Sequence, residues 1–250
     1  MARLQRDLIV GSALQMLDEV GLDGLSTRTL ATRLGVQSPA LYWHFGSKRD
    51  LLDAMADTML VEAGQPAPPR PGDEVVPWLT ERGCAFRRAL LSHRDGARVH
   101  AGSRPQTGQL PSLEAQAVAL TAAGLSAEDA LRALLAISRY TIGWVLEEQA
   151  DAARAAEVPA TDRPAFEDHA TLRSARAIFE QRDPDSDFEF GLTALVAGLT
   201  DRTRTGAPPL ERRIQRARAK PDRRPVRDGP KPISAARTAP STAASHTASQ

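Results

Sequence analysis

A chain of 250 residues with 42% hydrophobic residues can bury a substantial core, as one large domain or as a small one beside a larger one. The formal charge of +1 is unevenly spread: residues 201–250 carry twelve Lys/Arg against four Asp/Glu, a basic tail on an acidic body. The single cysteine, Cys84, excludes an intrachain disulfide, no apolar run reaches the ~18 residues of a membrane span, and the N-terminus lacks the apolar core of a signal peptide. The expectation is a protein of the reducing cytoplasm, with Cys84 a small buried apolar residue rather than a nucleophile.

In chain order, residues 3–20 predict an amphipathic helix through Leu4, Leu8, Ala13, Leu14, Leu17 and Val20, ended by Gly21. Leu25 to Phe45 reads as two short helices around a tight turn. Ser26 or Thr27 can cap the first, because a hydroxyl there accepts from an otherwise unpaired N–H, and Gly35 stands where a helix ends most easily in a left-handed conformation. Ser38 then caps a second helix with Pro39 at its first position, where the missing N–H costs nothing. This is helix-turn-helix punctuation. Tyr42, Trp43 and His44 follow; two readings fit the aromatics, a small core or a surface whose polar tips meet DNA phosphates and bases. An acidic body needs a local basic surface to approach DNA, and Arg3, Arg6, Arg28, Arg33, Lys48 and Arg49 supply one.

Lys48–Ala63 predicts a fourth helix capped by Ser47, and the prolines of 64–72 make a linker. Helices follow over Asp73–Ser92, Arg94–His100, Leu110–Ala123 and Ser126–Ala150, then a polar loop over 151–163, then helices over Pro164–Gln181 and Asp187–Arg202. The helix from Ser126 has more apolar positions than one burial surface can cover, which points to a partner subunit. From about Gly206 the Pro/Arg/Ser/Thr-rich tail holds too few large apolar residues to offset chain entropy and reads as disordered. No strand pattern, P-loop, G-x-S-x-G or H-E-x-x-H occurs, so the residues offer no enzyme chemistry.

Residues 3–60, down to Leu41-Tyr-Trp-His44 and Lys48-Arg-Asp-Leu-Leu52, resemble the DNA-binding domain of the tetracycline-repressor (TetR) family. The run from Arg87 through His100 to Pro105 resembles the ligand-binding core of that family's tetracycline-responsive members, and the similarity spans about residues 3–205. The resemblance implies an all-α homodimer: a helix-turn-helix three-helix domain at 1–47, a connecting helix at 48–63, the linker at 64–72, a ligand-binding and dimerisation domain at 73–205, and the basic tail at 206–250. It implies a repressor of a palindromic double-stranded operator, released by a magnesium-chelating tetracycline-like or aromatic polyketide inducer and controlling an efflux or resistance gene.

By the same resemblance, DNA contacts fall on Thr27, Arg28, Ser38, Pro39, Ala40, Tyr42, Trp43, His44 and Lys48. The metal site falls on His100 directly, with Ser103 and Glu147 acting through water, Glu147 from the partner subunit. A site with few protein ligands suits Mg²⁺, which keeps waters and takes its other oxygens from the bound molecule. Arg82, Phe86, Arg104, Pro105, Leu113, Gln116, Leu131, Leu134, Ser138, Arg139 and Leu172 complete the expected ligand site.

Some positions depart from the family pattern. Gly64, Arg82 and Arg139 stand where its tetracycline binders carry His, Asn and His, and Ser38 and Ala40 stand where a Gln and a Thr are usual. The first set alters the end of the pocket away from the metal; the second removes a Gln-to-adenine contact while Arg28 keeps its reach to guanine. A rival reading follows, a metal-independent anionic or aromatic ligand, an anion being met by Arg82 and Arg139.

Overall fold

Capping chemistry sets the first helices of the computed structural model, which describes residues 5–70, 72–103, 105, 107–157, 169–175 and 183–204, the last three residues of α8 and of α10 by backbone only. α1 (Arg6–Gly24) runs one turn past its expected end, because Gly21 takes φ +71 and kinks the helix rather than stopping it. Ser26 caps α2 (Thr27–Arg33) by accepting from Thr29 N–H at 3.1 Å, and Thr29 returns the contact as a capping box. Gly35 makes the turn at φ +66. α3 (Ser38–Tyr42) corrects the expected cap: Ser38 is already helical, Gln37 is the cap and makes no side-chain bond, and Pro39 moves one place inward, still within the turn whose N–H groups have no helical partner. Ser47 caps α4 (Lys48–Glu62) through Asp50 N–H.

The remaining described helices are α5 (Val75–Leu91), α6 (Gly96–His100), α7 (Leu110–Ala122) behind a 3₁₀ turn at Thr107–Gln109, α8 (Ala127–Glu157), α9 (Ala170–Ser174) and α10 (Pro184–Arg204, numbered last among the described elements). No strand occurs among the described residues, and the architecture is all-α as expected. The polar loop expected from 151 is helical through 157: Asp-Ala-Ala-Arg-Ala-Ala-Glu is polar, but Ala, Arg and Glu are strong helix formers. α10 starts earlier than expected because Pro184 suits a first turn. On α5, Val76 and Leu91 are 40% and 37% exposed. Most of the expected Pro164–Gln181 helix, Arg3, Arg104 and the 206–250 tail lie outside the described residues.

Two main cores hold the described helices. Ile9, Leu14, Leu17, Leu30, Leu41, Phe45, Met55 and Met59 unite α1–α4, and Val99 of α6 enters the same cluster. Leu79, Leu120, Leu134, Ile137, Phe188 and Leu192 unite α5, α7, α8 and α10. A smaller cluster of Phe86, Leu90, Ala97 and Val145 ties α6 between α5 and α8. α6 is therefore packed against both main bodies, which places His100 at their junction.

Candidate DNA-binding surface and ligand site

In the 38–45 segment, Leu41 and Phe45 turn inward while Trp43 is 89% and Tyr42 52% exposed. Of the two readings of these aromatics, the small-core one is excluded. The Tyr42 hydroxyl lies 3.5 Å from Thr27 Oγ1, joining α3 to the start of α2. Arg28 and Pro39 are exposed, Ser38, Ala40 and His44 half-buried, and Lys48 donates to Leu25 O at 2.7 Å. Not every expected basic residue is available. Arg33 is held bidentately by Glu19 at 2.5 and 2.8 Å, and Arg49 by Asp53. Arg6 stacks over the Phe45 ring at 4.7 Å. Among the described residues, Arg28 and Lys48 are exposed and make no ion pair with a carboxylate, Lys48 being held by Leu25 O.

At the other site, His100 ends α6 with its ring edge-on to Phe86, centroids 4.9 Å apart. Ser103 Oγ is 3.4 Å from His100 Nδ1. Burial holds the imidazole below the usual histidine pKa, so it is neutral at neutral pH and keeps a lone pair for a metal or a proton donor. Just beyond His100, Arg49 of α4 donates to Ala101 O at 3.1 Å, and Gln109 binds Asp57 of α4. These two attachments hook α4 to both ends of the segment that leaves His100. Sequence reasoning missed Arg49, Asp57 and Gln109 in this role; no local pattern marks a partner 52 residues away.

The rest of the expected ligand site is not assembled within one chain. Pro105, Leu131 and Leu172 are exposed and Ser138 half-buried. Leu134, expected as a pocket wall, is sealed in the second core at 3% exposure, with Leu113 packed on its edge, because α8 turns that face toward α5 and α10. Glu147 and Arg139 line a groove of about 880 Å³ between α8 and α10, together with Tyr140, Trp144 and Asp187; His100 is not part of it. Arg82 instead points toward α7, where its Nε donates to Gln116 Oε1 at 2.7 Å. Cys84 is half-buried on the second core, and burial pushes its thiol pKa up, away from reactivity.

Residues 9–55 match the family described as bacterial regulatory proteins, tetR family, and residues 68–203 match the tetracyclin repressor-like C-terminal domain. The chain belongs to the TetR family. It is 47% identical over 206 residues to the tetracycline repressor protein class C of Escherichia coli, covering 80% of this chain and 92% of that relative. A class A TetR solved with 5a,6-anhydrotetracycline and magnesium superposes with a TM-score of 0.63 at 43% identity, covering 79% and 99% of the two chains. A TetR variant from Acinetobacter baumannii AYE in complex with minocycline gives a TM-score of 0.69 at 39% identity, covering 82% and 98%. This TetR-family chain is a ligand-responsive transcriptional repressor that binds operator DNA as a homodimer. Its relatives are repressors, and no described helix is long and apolar enough to cross a membrane.

Proposed function

We propose that this repressor is released from a palindromic operator by the magnesium chelate of a tetracycline or related aromatic polyketide, and that it controls an efflux or resistance gene. The observation that carries this reading is His100: a neutral, half-buried imidazole flanked by Phe86 and Ser103 at the point where α4 is hooked to the ligand region. A site with few protein ligands suits an ion that takes its other oxygens from the ligand and from water. His100 would hold the ion directly and Ser103 its water, with Glu147 supplied by the partner subunit. When bound, the ion would supply Lewis-acid affinity for a chelating ligand, and His100 is the residue that would hold it.

The chain's own residues do the rest. Phe86, buried between α5 and α6, braces the His100 ring edge-on and so fixes where the imidazole sits. Movement of the 101–105 segment reaches α4 through the Arg49–Ala101 bond, and α4 shares the core of the helix-turn-helix through Met55 and Met59. The operator is read by Thr27, Arg28, Ser38, Pro39, Ala40, Tyr42, Trp43, His44 and Lys48, with Arg28 on a guanine and Trp43 and Lys48 toward the phosphates. The ligand weakens operator binding only by as much as it prefers the released conformation. The protein acts in the cytoplasm and is not an enzyme. A metal-independent anionic or aromatic ligand is the weaker reading: Arg82 turns to α7 and Arg139 lines the groove between α8 and α10, so the two cations do not face one site within a chain.

The test is operator binding followed by fluorescence anisotropy, with the class A ligand anhydrotetracycline added to wild type and to His100→Ala. Release of wild type, and retention of the His100→Ala complex at the same ligand and Mg²⁺ concentrations, is expected. Equal release of both would contradict the reading.

A further inference from the structure

Among the enclosed arginines, Arg82 stands apart. Arg87, 9% exposed, is matched by Glu148 at 2.8 Å and Asp185 at 2.5 Å. Arg49, whose Nη2 is also buried, lies 2.7 Å from the Asp53 carboxylate. Arg82 is half-buried as a residue, but its guanidinium head is enclosed, and Nη1 has no hydrogen-bond partner. Its Nε meets only the neutral amide oxygen of Gln116, which in turn is braced by Ser112 Oγ at 3.3 Å. Burial alone lowers the pKa, to about 10, with no carboxylate offsetting it; the group still carries its charge at neutral pH. A desolvated cation with an unmet donor is costly unless an anion completes it.

Its place on α5 says where that anion would come from. Arg82 and Phe86 are four residues apart and share a helix face, and Phe86 meets His100 ring to ring. One face of α5 thus runs from the imidazole, past the buried Phe86 ring, to an unmatched guanidinium, over on the order of 10 Å, a turn of helix plus the ring contact. That is the length of a fused polycycle.

We propose that the inducer carries a carboxylate at the end opposite its chelating oxygens, and that Arg82 selects for it. This rests on the reading that His100 and Ser103 hold the chelating end. A planar guanidinium presents two parallel donors to a carboxylate, which gives geometric selection as well as affinity.

The probes are a dihydroxyanthraquinone carboxylic acid, with a hydroxyl–carbonyl pair for Mg²⁺ and a carboxylate on the far edge, and its methyl ester. Each is titrated into the full-length dimer with Mg²⁺ by calorimetry. The acid is expected to bind wild type roughly 10-fold or more tighter than the ester, the range of a charge-assisted hydrogen bond. Arg82→Gln should remove the preference and Arg82→Lys keep part of it. Equal affinity of acid and ester for wild type overturns the proposal without relying on any variant, as does a preference that survives Arg82→Gln, or binding of neither probe. Tetracycline separates the two levels. If it needs Mg²⁺ and His100 while the acid shows no advantage, only the role of Arg82 fails; if it binds His100→Ala as well as wild type, the site reading fails and the proposal with it.

Discussion

Trp43, at the end of α3, is 89% exposed, whereas Phe86, in the middle of α5, is 4% exposed. The same contrast holds for charge: Arg28 lies in solvent, while the head of Arg82 is enclosed and His100 half-buried. A surface for DNA can leave its groups hydrated, because the polyanion brings the compensating charge and releases its own counterions. A site for a small molecule must remove water from both partners, so its polar groups wait half-satisfied inside the protein. Substitutions at the first surface should therefore change binding and leave stability alone, while those at the second should change both.

The largest expected effect is at the buried aromatic. Phe86→Ala should lower unfolding free energy by roughly 3–5 kcal/mol, read by denaturant titration, and abolish inducer response. Unchanged stability would mean that Phe86 is not the link between α5 and α6. His100→Ala should weaken inducer binding by more than roughly 100-fold, since even supporting residues around a metal ligand are worth 10–100-fold, while operator affinity without inducer stays within a factor of about two. Trp43→Ala and Arg28→Ala should each weaken operator binding by about 1–3 kcal/mol with stability changes within about ±0.5 kcal/mol. A melting temperature that fell with Trp43→Ala would break the contrast at its clearest point.

The smallest effect concerns the exposed pair Asp23–Arg98, which joins α1 to α6. The hydrogen bond from Arg98 holds the Asp23 pKa below its ordinary 3.8. A carboxylate with a lowered folded pKa contributes stability that is fully present above its ordinary value and fades as pH falls through the folded one. Asp23→Asn should thus destabilise slightly at neutral pH, and the gap from wild type should close in acid. A gap that stayed constant down the acid limb would remove the pair from the account.

What was legible in the sequence follows the range of the interactions. Ser26, Gly35, Pro39 and Ser47 act within a few residues, and the helix-turn-helix could be read from them, apart from the one-residue shift at Ser38. Residues 151–157 differ from the expected loop because polar composition does not distinguish a loop from an exposed helix built of Ala, Arg and Glu. The pairing of Arg33 with Glu19 reaches across 14 residues and that of Arg49 with Ala101 across 52, so neither could be subtracted from the basic surface beforehand. His100 and Arg82 entered through resemblance. Their chemistry, a neutral imidazole beside a ring and a guanidinium lacking an anion, depends on burial, which arises only when α5, α6 and α7 come together.

The central claim is that the ligand site works through a metal chelate while the DNA surface does not. The most direct measurement is fluorescence anisotropy of an operator fragment bound to the dimer, titrated with anhydrotetracycline in Mg²⁺ and again in excess chelator. Release in Mg²⁺ alone, with the starting operator affinity unchanged by the chelator, is the result expected. Equal release with and without Mg²⁺ would contradict it.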